Sequence, residues 1–102
     1  MKTLIATGTA VMLMALSGAV SADLALAQKN ACMSCHGVDK KIVGPAYKDV
    51  AAKYRGDKGA EARLFAKVKA GGKGVWGPVP MPPNPQVKDE DLHKILQWVL
   101  SL

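Results

Sequence analysis

ACMSCHG, residues 31–37, carries the only two cysteines of the 102-residue chain. Cys32 and Cys35 stand three positions apart, and His36 follows at once. A disulfide between them would close a two-residue loop, which stabilises little. A thioredoxin-like redox pair opens a helix after a strand, and no segment of residues 23–102 alternates with period two for long enough to read as a strand. Zinc has a sufficient ligand count only if His93 joins as the fourth. Cys35 and His36 are adjacent, however, whereas zinc-finger ligands are usually spaced by several residues.

The fourth reading of C-x-x-C-H is covalent haem attachment. On a helix or tight turn, residues three apart face the same side. Cys32 and Cys35 can then each add to a porphyrin vinyl group, giving two thioether bonds. His36, next in the chain, projects its imidazole toward the iron. Chance matches to the motif occur, but its place in the chain strengthens this reading.

That place is set by the N-terminus. Lys2 supplies a positive start, residues 4–16 are apolar and uncharged, and AVSA at 19–22 offers small residues at Val20 and Ala22. The pattern reads as a secretory signal peptide, residues 1–22, cleaved after Ala22. As a membrane anchor the apolar run is short, since a spanning helix needs about 20 apolar residues. The mature domain, 23–102, keeps 13 of the 14 basic residues against 8 acidic ones. Spread from Lys40 to Lys73, these charges suit solvated helix faces, and they can steer the protein toward acidic partners. Export, and the lack of a basic block interleaved with aromatics, argue against nucleic acid. A domain of this size often needs a cofactor or a staple to be stable.

Helical spacing predicts four helices. Residues 23–34 place Leu24, Ala27 and Ala31 on one face. Residues 46–54 do the same with Tyr47, Val50, Ala51 and Tyr54. In 59–70 the stripe is Leu64, Phe65 and Val68, with Glu61 at its outer end. In 89–102 it is Leu92, Ile95, Leu96, Val99 and Leu102. Asp89, Glu90 and Asp91 suit the N-terminal end of the last helix dipole. Glycines separate the elements, and then GPVPMPPNP, residues 77–85, gathers five of the six prolines.

A haem iron with one histidine has a sixth position. After cleavage only Met33 and Met81 remain among the methionines. Met33 lies between the two cysteines, on the attachment side. His93 falls off the apolar stripe of the last helix and reads as an exposed helix histidine. Met81 is left. It lies between Pro80 and Pro82, and a residue before proline is held extended. Such a loop loses less entropy when it is ordered, which helps a weak thioether ligand stay bound. A rigid linker or an SH3-type ligand does not suit a segment inside so small a domain.

The segments CMSCH, VGPAYKDVAAKY, GVWGPVPMPPN and WVLSL resemble the small bacterial monohaem class I cytochromes c, of the cytochrome c-551/c-552 type, over essentially the whole of 23–102. The resemblance implies the all-α cytochrome c fold, about four helices wrapped around one haem c bound through Cys32 and Cys35. It implies His36 and Met81 as axial ligands. It also implies a hydrogen bond from the His36 imidazole to the Pro45 carbonyl, an indole N–H from Trp76 to a haem propionate, and Asn84 near the Met81 sulfur. Read without the resemblance, these last three are a turn proline, a core tryptophan and a loop-capping amide. Two positions depart from the pattern. Lys67 stands where many members carry an arginine that assists a propionate, and a lysine cannot make the same fork. Lys88 stands where the family often has a Ser or Thr helix cap, so Asp89 is expected to cap instead, moving the helix start by one residue.

A closed His/Met haem leaves no vacant position for oxygen or peroxide, and this ligation raises the reduction potential. The expected function is therefore a soluble, monomeric periplasmic one-electron carrier, not an enzyme. Its expected partners are periplasmic redox proteins such as a nitrite reductase, a terminal oxidase, a peroxidase or a cytochrome bc1 complex, with no membrane insertion after cleavage. A small haem peroxidase or a haem-based sensor is the alternative if Met81 dissociates.

Overall fold

Leu92, Ile95, Leu96 and Val99 recur at helical spacing, and all four side chains are buried. They form the inner stripe of the last helix, which holds the fold together. In the computed structural model, which describes Gly8 and residues 22–102, the helices are α1 (Ala22–Lys29), α2 (Tyr47–Lys53), α3 (Ala60–Ala70) and α4 (Asp89–Leu100), with a short 3-10 turn at Cys32–Ser34. Helices α1, α2 and α3 each pack against α4. Ala27 of α1, Tyr47 and Val50 of α2, and Leu64 of α3 meet the α4 stripe in one apolar cluster. Apart from Gly8 and Ala22, the expected leader lies outside the described residues.

Among the described residues there is no strand; two isolated antiparallel pairings occur, His36 with Lys41 and Gly72 with Met81. The fold is all-α, as the spacing predicts, and three of the four predicted helices fall within two residues of their expected ends. The first does not. Residues 23–34 were expected as one helix, but α1 stops at Lys29. Asn30 turns both its N–H (3.1 Å) and its side-chain Nδ2 (2.9 Å) onto the Leu26 carbonyl. Ala31 then adopts left-handed backbone, φ 62° and ψ 13°, a common way for a helix to end. It leaves Ala31 exposed rather than on the core face.

Helix α4 starts at Asp89, but Asp89 is not its cap. Lys88 occupies that position, and its side chain makes no capping bond. The Asp89 carboxylate is drawn away to Lys69 of α3, 2.8 Å distant. Lys69 also donates to the Val87 carbonyl. Val87 itself, which belongs to no periodic pattern, is among the most deeply buried side chains, 1% exposed. It plugs the core where the proline segment joins α4.

Candidate haem site

Cys32 and Cys35 ride on the 3-10 turn that follows Ala31. The turn is closed by hydrogen bonds from the Cys35 and His36 N–H groups to the Cys32 carbonyl, at 3.2 and 3.1 Å. Both cysteines are unpaired and partly buried, and both line one cavity of about 320 Å³. Burial pushes the Cys32 thiol above its ordinary range, against a smaller opposing effect of a hydrogen bond with Tyr47. A thiol so shifted holds its proton at neutral pH, unlike the activated cysteine of a thiol oxidoreductase. Nor do three or more His, Cys, Asp or Glu side chains converge as a metal-binding group among the described residues.

His36 borders the same cavity. Its Nδ1 lies 2.8 Å from the Pro45 carbonyl oxygen. A carbonyl can only accept, so Nδ1 donates here, which leaves Nε2 as the nitrogen that can ligate a metal. Two neighbours crowd the ring. Tyr47 stacks on it at 4.9 Å between centroids and 20° between planes, and Gly44 approaches it closely. A β-carbon at Gly44 would come within 2.5 Å of Cε1 and 2.9 Å of Nδ1. Tyr47 is in turn held edge-on by Trp98 of α4, at 5.7 Å. The imidazole is thus oriented by packing that reaches back into the core.

Met81 enters the cavity wall from the proline segment. Its backbone is extended and pairs with Gly72, accepting from the Gly72 N–H at 3.1 Å and donating to the Gly72 carbonyl at 2.8 Å. His93 is not among the lining residues. It sits on the outside of α4, stacked on Phe65 at 4.6 Å, with Nδ1 3.0 Å from a Glu61 carboxylate oxygen.

Trp76 lies at the cavity rim, 40% exposed. Its indole N–H has no hydrogen-bond partner among the described residues. The Lys53 ammonium stands 5.6 Å over the ring, a cation–π contact that steadies it. Lys67 also borders the cavity, its aliphatic stem beside Gly72. Asn84 lines the cavity, and its side-chain hydrogen bonds run within the loop: Nδ2 donates to the Pro82 carbonyl at 2.8 Å, and Oδ1 accepts from Gln86 at 3.3 Å. Its backbone N–H donates to Val68 of α3 at 2.9 Å.

The remaining walls are largely aliphatic, with Leu64, Val68, Leu92, Ile95, Leu96 and Val99 among them. Two thiols on one turn, an imidazole with a free Nε2 and a thioether border this apolar cleft, a donor set that fits a covalently attached haem. Sequence reasoning missed Gly44 and Gly71, the two glycines that let backbone approach His36 and the Met81 loop. Gly44 had the one cue, its place beside Pro45; Gly71 adjoins no motif residue.

These features define a covalent haem protein of the cytochrome class. The chain belongs to the cytochrome c family, whose model matches residues 24–102. Cytochrome c-551 of Allochromatium vinosum is 62% identical over 81 residues, covering 79% of this chain and 86% of that protein. Cytochrome c-551 of Pseudomonas aeruginosa is 50% identical over 99 residues, covering 96% and 90%. The crystal structure of wild-type Nitrosomonas europaea cytochrome c552 superposes with a TM-score of 0.74 at 50% identity, covering 76% of this chain and 96% of that one. As a member of the family the protein carries one covalently attached haem c, and it exchanges electrons with other redox proteins rather than acting as an enzyme.

Proposed function

We propose that the protein is a soluble, monomeric periplasmic one-electron carrier, exported by a cleaved leader at residues 1–22, with Cys32 and Cys35 as the thioether anchors and His36 and Met81 as axial ligands. The observation that carries this reading is the convergence of His36 and Met81 on one apolar cavity from loops 45 positions apart. Pro45, Tyr47 and Gly44 orient the imidazole, and Gly72 pairs with the Met81 backbone.

Bound here, haem c supplies a one-electron iron couple. The chain's own part is to keep both ligands in place through oxidation and reduction, so that little rearranges when charge changes. The aliphatic walls exclude water and favour the less charged reduced state. Trp76, its indole N–H without a partner among the described residues, is the donor for a propionate at the rim. Lys67 offers a point charge nearby but not a bidentate fork. Asn84 braces the Met81 loop through Pro82 and Val68, and its role in this reading is to pack or hydrogen-bond near the Met81 sulfur.

The exposed apolar side chains Ile42, Val43, Val75 and Val79 lie near or on this rim. With Lys41 and Lys73 beside them, they suit brief contact with an acidic-edged redox partner, such as a nitrite reductase, a terminal oxidase, a peroxidase or a bc1 complex. Among the described residues no helix is long and apolar enough to cross a membrane.

The test is spectroscopic. The oxidised protein is expected to show the weak methionine-to-iron charge-transfer band, and Met81→Ala to lack it. A wild-type protein without the band, or a variant that keeps it, defeats the ligand assignment. A c-type pyridine haemochrome spectrum checks the two thioether bonds, and a colourless protein with titratable thiols would defeat them.

A further inference from the structure

The C-terminal end of α3 and the Met81 loop meet backbone to backbone. Gly72 exchanges two hydrogen bonds with Met81, and the Asn84 N–H reaches the Val68 carbonyl. Between Val68 and Gly72 the chain turns at Gly71, which has φ 76° and ψ 179°. That region of backbone space is essentially open to glycine alone. Space is short there as well. A β-carbon on Gly71 would stand 2.7 Å from the Met81 carbonyl oxygen, 2.8 Å from the Pro83 nitrogen and 3.1 Å from the Pro82 carbonyl carbon. All three are backbone atoms of a loop stiffened by prolines, so no side-chain rotation could make room. Gly56 provides the contrast. Its φ is 79°, yet a β-carbon there meets nothing within 4 Å.

We infer that Gly71 is a positioning residue for Met81: its bare α-carbon lets the proline loop dock on the end of α3, and this dock sets how firmly the methionine resists displacement. The inference rests on Met81 being the axial ligand proposed above. Prolines limit the shapes the loop can take, but they do not tie it to the rest of the molecule; the Gly72 and Val68 hydrogen bonds do. A thioether is a weak ligand. An external ligand must therefore compete with the sulfur bond and with the docked population of the loop, and undocking raises its apparent affinity by the same factor.

Titration of the oxidised holoprotein with imidazole, followed by the charge-transfer band, tests this. Gly71→Ala is expected to lose the band at about one-tenth of the wild-type imidazole concentration or less. Gly56→Ala, at a matching φ away from the site, is expected to titrate as wild type even where it lowers the denaturation midpoint. In wild type, amide exchange is expected to show Gly72 and Met81 losing protection together once imidazole is bound. Equal imidazole midpoints for all three proteins, or amides still protected with imidazole bound, would overturn the inference. Should Gly71→Ala fail to accumulate, the exchange measurement on wild type decides alone. A band that is normal in wild type and lost in Met81→Ala, but unmoved by Gly71→Ala, defeats the dock and spares the ligand. A band missing from wild type defeats both.

Discussion

The Pro45 carbonyl oxygen sits 2.8 Å from Nδ1 of His36, while Gly44, one residue earlier, lies so close to the same ring that a β-carbon on it would stand 2.5 Å from Cε1. The loop that polarises the imidazole therefore also confines it. Gly44→Ala is expected to push the ring off this bond and to destabilise the holoprotein by about 1–3 kcal/mol, the usual range for overpacking. Denaturant unfolding of the holoprotein measures it. A variant as stable as wild type, with an unchanged spectrum, would show that the ring has room to move.

Lys69 joins α3 to the segment entering α4 through the Val87 carbonyl and the Asp89 carboxylate, and its side chain is only 23% exposed. Lys69→Ala leaves that carbonyl without its charged donor. A loss of about 1.5 kcal/mol is expected from the hydrogen bond to a charged group, read as a lower denaturation midpoint. Asp89→Asn should cost less, because the carboxylate is itself well exposed and surface ion pairs contribute little.

Leu92 is 1% exposed at the meeting point of the helices, and it also lines the cavity. Leu92→Ala is expected to cost about 2–5 kcal/mol, through lost burial and the cavity left behind. The denaturation midpoint should fall while the absorption spectrum of the folded fraction keeps its shape. A loss under about 0.5 kcal/mol would mean the neighbours collapse into the space.

Lys41 and Lys73 carry exposed charge at the cavity rim. If partners dock there, Lys73→Gln should slow electron transfer to an acidic redox partner about two- to fivefold at low salt, with the difference vanishing near 1 M, where the screening length is about 3 Å. Stopped-flow rates at two ionic strengths decide it. A salt-independent rate would place the docking face elsewhere.

The helices were readable because each carries its apolar stripe within one short segment. Leu92, Ile95, Leu96 and Val99 declare α4 with no knowledge of what they touch. The C-x-x-C-H spacing is local in the same sense. Ala31 was misread because nothing in its own chemistry marks a left-handed residue: an alanine reads as helix, and only its φ of 62° ends α1. Val87 was missed for the opposite reason. It is a lone apolar residue between proline-rich chain and an acidic turn, without periodic neighbours, yet it fills the core.

Spacing and side-chain chemistry alone were enough to mark an all-α chain with a covalent haem motif and one plausible second ligand, because those features depend on residues a few positions apart. Which loops share a cavity is a different kind of fact. Packing of α1, α2 and α3 on α4 decides that the turn bearing Cys32 and Cys35, the Gly44–Pro45 bend and the Met81 loop border one space. The same packing sends Asp89 to Lys69 instead of to the helix cap, and brings Gly71 against Met81. Such contacts join residues far apart in the chain, and their distances are set by volume and backbone geometry summed over the whole core, which no local pattern records.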